Sequence, residues 1–221
     1  MNIISSEIIK IKQKIKKGKT RYFVAASYIL VAFLLFIVFY INKKYNIPFE
    51  KLTGDPALTF NAHPFIGFLS NLGVLLWCFT ASVCYFSSAL LFTTNNNKKA
   101  LFFLSSGFFT SILLIDDFFM FHDYIFYSFE SFKIIQPITY VIYGMLLLLC
   151  IIKFHKIIFD SLYIFLALAV GFLGLSVFTD LVFENIGLEY FIEDGFKFIG
   201  ITNWMLFFSI TSYQNVKTRL Y

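Results

Sequence analysis

Residues 22–41 read YFVAASYILVAFLLFIVFYI. Twenty residues with no charge rise about 30 Å as an α-helix, the thickness of a bilayer's hydrocarbon core. The run is longer than the apolar stretch of a cleavable signal peptide, and no small-residue cleavage site follows it. It predicts a membrane-spanning helix. The composition agrees: the 221 residues are 59% hydrophobic, 21% aromatic and 14% charged, against about 25% charged in a soluble domain. That excludes a disordered tail, a disulfide scaffold and an ordinary water-soluble enzyme.

Working outward, five more apolar segments follow, and the predicted helices cover about 22–42, 64–93, 100–122, 138–153, 157–184 and 196–214. The expected fold is all-α, a polytopic integral membrane protein with six transmembrane helices. Residues 1–21 form a basic leader in which isoleucines alternate with lysines, residues 22–214 the six-helix domain, and residues 215–221 a short basic tail. Charge sets the orientation. If the leader is cytoplasmic, the inner segments hold 13 of the 18 Lys and Arg residues and only Glu7 and Asp160 among the acids. Such a bias places Lys and Arg inside and puts both termini in the cytoplasm, with a bacterial inner membrane as the expected location. The formal net charge of +5 is therefore a topology signal, and no nucleic-acid partner is expected. Cys78, Cys84 and Cys150 all lie in apolar runs and read as small packing residues.

The same topology brings the acids to one face. The third helix ends in IDDFFMFHD (115–123), the fifth carries Asp180 and Glu184, and the sixth opens with Glu193, Asp194 and Lys197. Asp116 lies about 23 Å along a helix that begins near residue 100, at the edge of hydrocarbon, where an acid costs several kcal/mol unless paired or wet. Asp116 and Asp123 share a stripe but are about 10 Å apart along the axis, and His122 lies about 120° round from Asp116. Asp180 and Glu184 are one turn apart and share a face, so they could hold a cation together with Asp116 or Asp117. Glu193 and Lys197 have the same spacing, which suits Lys197 to neutralising an acid.

The candidate metal ligands are thus Asp116, Asp117, His122, Asp123, Asp180, Glu184, Glu193 and Asp194, with Asp116, Asp117 and His122 as candidate catalytic groups. Carboxylates with one imidazole suit a divalent metal such as Mg, Mn, Fe, Ca or Zn. Asn71, Lys197 and Asn203 are candidate substrate contacts, and membrane lipid is the expected partner. Three readings follow: a metal-dependent hydrolase of a lipid-like substrate, a cation- or proton-coupled transporter, or a structural subunit whose acids are ion-paired. Trp77 and Trp204 read as packing residues, as do Gly107, Gly171, Gly174 and Gly200.

Two resemblances rest on these motifs. The stretch Gly67–Gly73 with Trp77, the DDxxxxHD run at Asp116 and the EDGxKxxG run at Glu193 resemble a group of small bacterial polytopic membrane proteins. Leu114–Met120 is similar to the acidic third-helix motif of alkaline ceramidases and related intramembrane metal hydrolases. That likeness implies a metal-assisted hydrolase. The chain has neither the HxxxH nor the SxxxH spacing that carries the zinc ligands in those enzymes.

Overall fold

The computed structural model describes residues 19–54, 56–63, 65–94, 96–120, 132–182 and 189–217. All regular structure among them is helical, and no strand is present among the described residues. The chain divides into two compact units between Ile66 and Gly67.

The first unit contains α1 (Lys19–Tyr45) and two short helices, α2 (Phe49–Thr53) and α3 (Pro56–Thr59). Asn46 ends α1 in the left-handed region, at φ 53°, which asparagine tolerates better than most residues. The Asn42 amide donates to the carbonyl of Ile47 at 2.8 Å and fixes that turn. His63 is exposed and accepts the N–H of Phe65.

The second unit contains α4 (Phe68–Thr93), α5 (Asn97–Phe119), α6 (Phe132–Phe159), α7 (Tyr163–Val182) and α8 (Glu189–Lys217). Here α4 packs on both α5 and α8, and α7 packs on α8. The buried face of α4 runs Gly73, Trp77, Thr80, Ala81, Cys84, Ser87, Ser88 and Leu91. Most of these are small, and small residues let helix backbones approach closely where lipid supplies no hydrophobic drive. The approach is tight: a Cβ on Gly107 would come within 3.1 Å of Cys84, and one on Gly200 within 2.7 Å of Leu173. Aromatic edges fill the space between, with Trp204 5.9 Å from both Trp77 and Phe109 and 5.1 Å from Phe208. By contrast α6 touches α5 and α7 only sparsely.

Among the described residues, five helices are long and apolar enough to cross a membrane: Val24–Tyr45, Phe68–Thr93, Asn97–Phe119, Pro137–Phe159 and Tyr163–Asp180. The protein is an all-α, polytopic membrane protein. The final helix α8 is long enough, but Lys197, Thr202, Asn203 and the polar residues of its last turns dilute its hydropathy. Several predicted boundaries move. The third long helix stops at Phe119, because Met120 adopts a left-handed cap (φ 51°) and its N–H returns to the carbonyl of Asp116. The helix predicted at 138–153 is longer at both ends, since Lys133, Lys153 and Lys156 ride on a helix as readily as on a loop. Phe154 marks a kink within it (φ −116°, ψ 17°). The next helix begins at Tyr163, after a turn at Asp160–Leu162, and not at 157. The basic leader at 1–18 and the tail at 218–221 lie outside the described residues.

Candidate functional site

Where α6 stands away from its neighbours, the second unit forms a half-open cavity of about 310 Å³. Its two ends differ. Asp116 and Asp117 come from the last turn of α5, Asp180 from the last turn of α7, and Glu193 and Lys197 from the first turns of α8. Tyr140 and Tyr143 join them from α6. The other end is apolar, with Trp77, Phe109, Leu113, Leu147, Leu173 and Trp204. Helix geometry spaces the two: Asp116 lies about 5 Å from the end of α5, while Trp204 lies about 22 Å into α8. Beyond Trp204, Phe109 and Leu147 a second, smaller void of about 20 Å³ continues among Phe102, Cys150, Phe207 and Phe208.

The acids are held by specific partners. The Tyr140 hydroxyl donates to Asp180 Oδ2 at 2.9 Å. Tyr143 lies near Asp116 on the cavity wall. Lys197 crosses from α8 to form an ion pair with Asp117 Oδ1. Asp116 and Asp117 are 6% and 9% exposed, so these partners do necessary work: an acid buried there alone would be strongly unfavourable. One acceptor remains unmatched. Asp117 Oδ2 is buried and receives no hydrogen bond from the described residues. Beside it, Asp117 and Lys197 also wall a hole of about 10 Å³, shared with Ser70 and Asp194, about the least space that holds one water.

Deep in the cavity, the Trp204 indole N–H donates to Thr110 Oγ1 at 3.1 Å, which satisfies its polar edge and fixes the ring. Gly144 and Gly174 line the wall, and a Cβ on either would meet nothing within 4 Å. Their missing side chains leave space that a residue of ordinary size would fill.

Of the residues singled out from sequence, the structure brings Asp116, Asp117, Asp180, Glu193 and Lys197 to one cavity. Asp194 faces the neighbouring hole. His122, Asp123 and Glu184 lie outside the described residues. Asn71 is exposed on α4 and does not line the cavity. Nor does Asn203, whose amide donates to the carbonyl of Ile199 one turn back. Among the described residues no three His, Cys, Asp or Glu side chains converge as a metal-ligand set. Tyr140 and Tyr143 escaped the sequence reading, because tyrosines near helix ends usually belong to an interfacial belt. Trp77 and Trp204 do pack, yet they also form the cavity wall, whereas Gly174, expected to pack, borders open space. The one available signal was their sharing a helix with the acids or with Asn71.

No curated protein and no solved structure matches the chain. One family does, over residues 24–211. Since that match spans most of the sequence, the chain belongs to the family described as a domain of unknown function, DUF8692.

Proposed function

We propose that the protein binds a lipid-like amphiphile within the membrane, with its polar head among Asp116, Asp180, Glu193 and Lys197 and its apolar tail against Trp77 and Trp204. One observation carries the reading: a single cavity of about 310 Å³ has carboxylates at one end and indole and leucine side chains at the other. Binding sites for small molecules are mostly apolar with a few convergent polar groups, and about 300 Å³ is the lower bound of their usual size. In this reading α8 is the sixth membrane span, both termini are cytoplasmic, and the acidic end opens to the outer face of a bacterial inner membrane. The charge bias of the sequence supports that orientation.

The described residues do not assemble a metal-ligand set. Hydrolysis of the bound amphiphile would call on His122, Asp123 or Glu184 to complete such a set.

Native mass spectrometry of the protein released from nanodiscs tests the proposal. One co-purifying amphiphile per chain is expected, absent from a Gly174→Leu variant that fills the wall of the cavity while remaining folded. Equal spectra from the two proteins would overturn it. Elemental analysis of the same preparation separates the enzymatic version: a stoichiometric divalent metal, lost in Asp116→Asn/Asp117→Asn, would turn the pocket into a metal-assisted hydrolase.

A further inference from the structure

Exposure locates the open side of the cavity. Of the described residues that line it, those exposed at the surface are Gly144, Val170 and Gly174, and all three stand on α6 and α7. A second observation agrees. A Cβ on Gly144 or Gly174 would meet nothing within 4 Å, so neither helix fills the gap at that level. The gap is framed at both ends. At one end the Tyr140 hydroxyl of α6 donates to Asp180 of α7 at 2.9 Å. At the other a tight turn joins the two helices, with the rings of Phe159 and Tyr163 5.4 Å apart. Between these ties α6 and α7 touch sparsely among the described residues.

Depth decides what lies outside the gap. Gly144 is about 10 Å into the span that begins at Pro137, and Val170 and Gly174 are about 10 and 17 Å into the one that begins at Tyr163. In a hydrocarbon core about 30 Å thick, an opening at that level faces acyl chains and not water. Volume decides how much can enter. At about 310 Å³ the cavity stands at the lower bound for a drug-sized ligand, too small for a whole two-chain lipid. We infer that the occupant is a two-chain lipid of the bilayer, which enters sideways between α6 and α7. One chain lies in the cavity and the other stays in the membrane through the gap. This deepens the amphiphile-binding reading and rests on it. A single-chain amphiphile arriving from water needs no opening at this depth.

The protein carries its own reporter. It has two tryptophans, Trp77 and Trp204, both lining the cavity and only 3% and 1% exposed, so lipid that merely surrounds the protein does not touch them. Bromine quenches an indole within its short reach. The protein is placed in nanodiscs of a bacterial polar lipid extract (phosphatidylethanolamine, phosphatidylglycerol and cardiolipin) whose unsaturated chains have been brominated, and in nanodiscs of the same extract unbrominated. The brominated lipid is expected to remove most of the tryptophan emission. Gly144→Leu fills the gap from α6 and should restore most of it. Val170→Phe narrows the same gap from α7, should do likewise, and decides the matter if Gly144→Leu does not fold. Bromohexanol, added from water to the unbrominated nanodiscs, is small enough to pass a narrowed gap, and should quench saturably in all three proteins.

Saturable quenching by bromohexanol with none by brominated lipid would overturn the inference and leave the pocket standing. So would lipid quenching that is equal in all three proteins, because the chains would then reach the indoles by another route. Loss of both kinds of quenching in the two variants would place residues 144 and 170 inside the cavity and also overturn the gap. Absence of quenching by either probe in the unaltered protein would overturn the pocket reading and the inference together.

Discussion

Two kinds of glycine divide the second unit. Gly73, Gly107 and Gly200 sit where helices α4, α5, α7 and α8 press together, and an added Cβ there would meet a neighbour at 3.1, 3.1 and 2.7 Å. Gly144 and Gly174 sit on the cavity wall, where a Cβ would meet nothing within 4 Å. The same residue thus serves opposite ends. In the seam it removes bulk so that backbones can touch. At the cavity it removes bulk so that nothing touches. A bilayer does not itself push helices together, so close packing has to be built. A void that persists among such helices, between an acidic end and an aromatic one, is equally a built feature.

The contrast can be broken or sharpened by substitution, read as stability to reversible unfolding in mixed micelles. The largest effect is expected where seam and cavity share a wall. Trp204→Ala removes a ring that is 1% exposed and strands the hydroxyl of Thr110, and should cost about 3–5 kcal/mol. A loss below about 1 kcal/mol would mean the wall is already loose. Lys197→Ala comes next. It leaves Asp117 buried without its ammonium partner, and about 3 kcal/mol is expected, since Lys197 is partly exposed and the site can admit water. Should Lys197→Ala and Asp117→Asn/Lys197→Ala prove equally unstable, the ion pair does not join α8 to α5.

Glycines give the finer test. Gly200→Ala forces a methyl group into Leu173 and should destabilise by about 1–3 kcal/mol. Gly144→Ala and Gly174→Ala should instead stabilise, by up to about 1 kcal/mol, because alanine holds a helix better than glycine and finds open space. Both should also reduce the capacity for amphiphile, in mass spectra of the nanodisc-released protein. If all three alanine variants moved stability the same way, the distinction between seam and cavity would fall.

The sequence allowed the outline to be read because hydropathy and length are additive along a helix. Runs such as 22–41 and the acids at 116, 117, 180 and 193 needed no partner to be recognised. Alternation of helix direction alone sent those acids to one end, and the cavity gathers them. What stayed hidden depends on pairs. Nothing local tells Lys197 to choose Asp117 across the interface, although the spacing to Glu193 is one turn. Helix ends also depend on single backbone choices: Met120 has no sequence signature for a left-handed cap, so the third long helix appeared to run on to residue 122. The tryptophans could be seen to pack, but which side of a ring borders empty space follows only from where α6 stands.

The cap at Met120 has a further electrostatic consequence. It closes α5 within four residues of Asp116, and α7 ends two residues after Asp180. Asp116, Asp117 and Asp180 therefore occupy the carbonyl ends of their helices, where the peptide dipoles already contribute about half a negative charge. A carboxylate at that end is disfavoured by about 0.3–1 kcal/mol, whereas Glu193 lies near the amide end of its helix, just past the first turn. Three of the four acids stand against their own helix dipoles, so the backbone as well as the side chains makes this end of the cavity a well for positive charge.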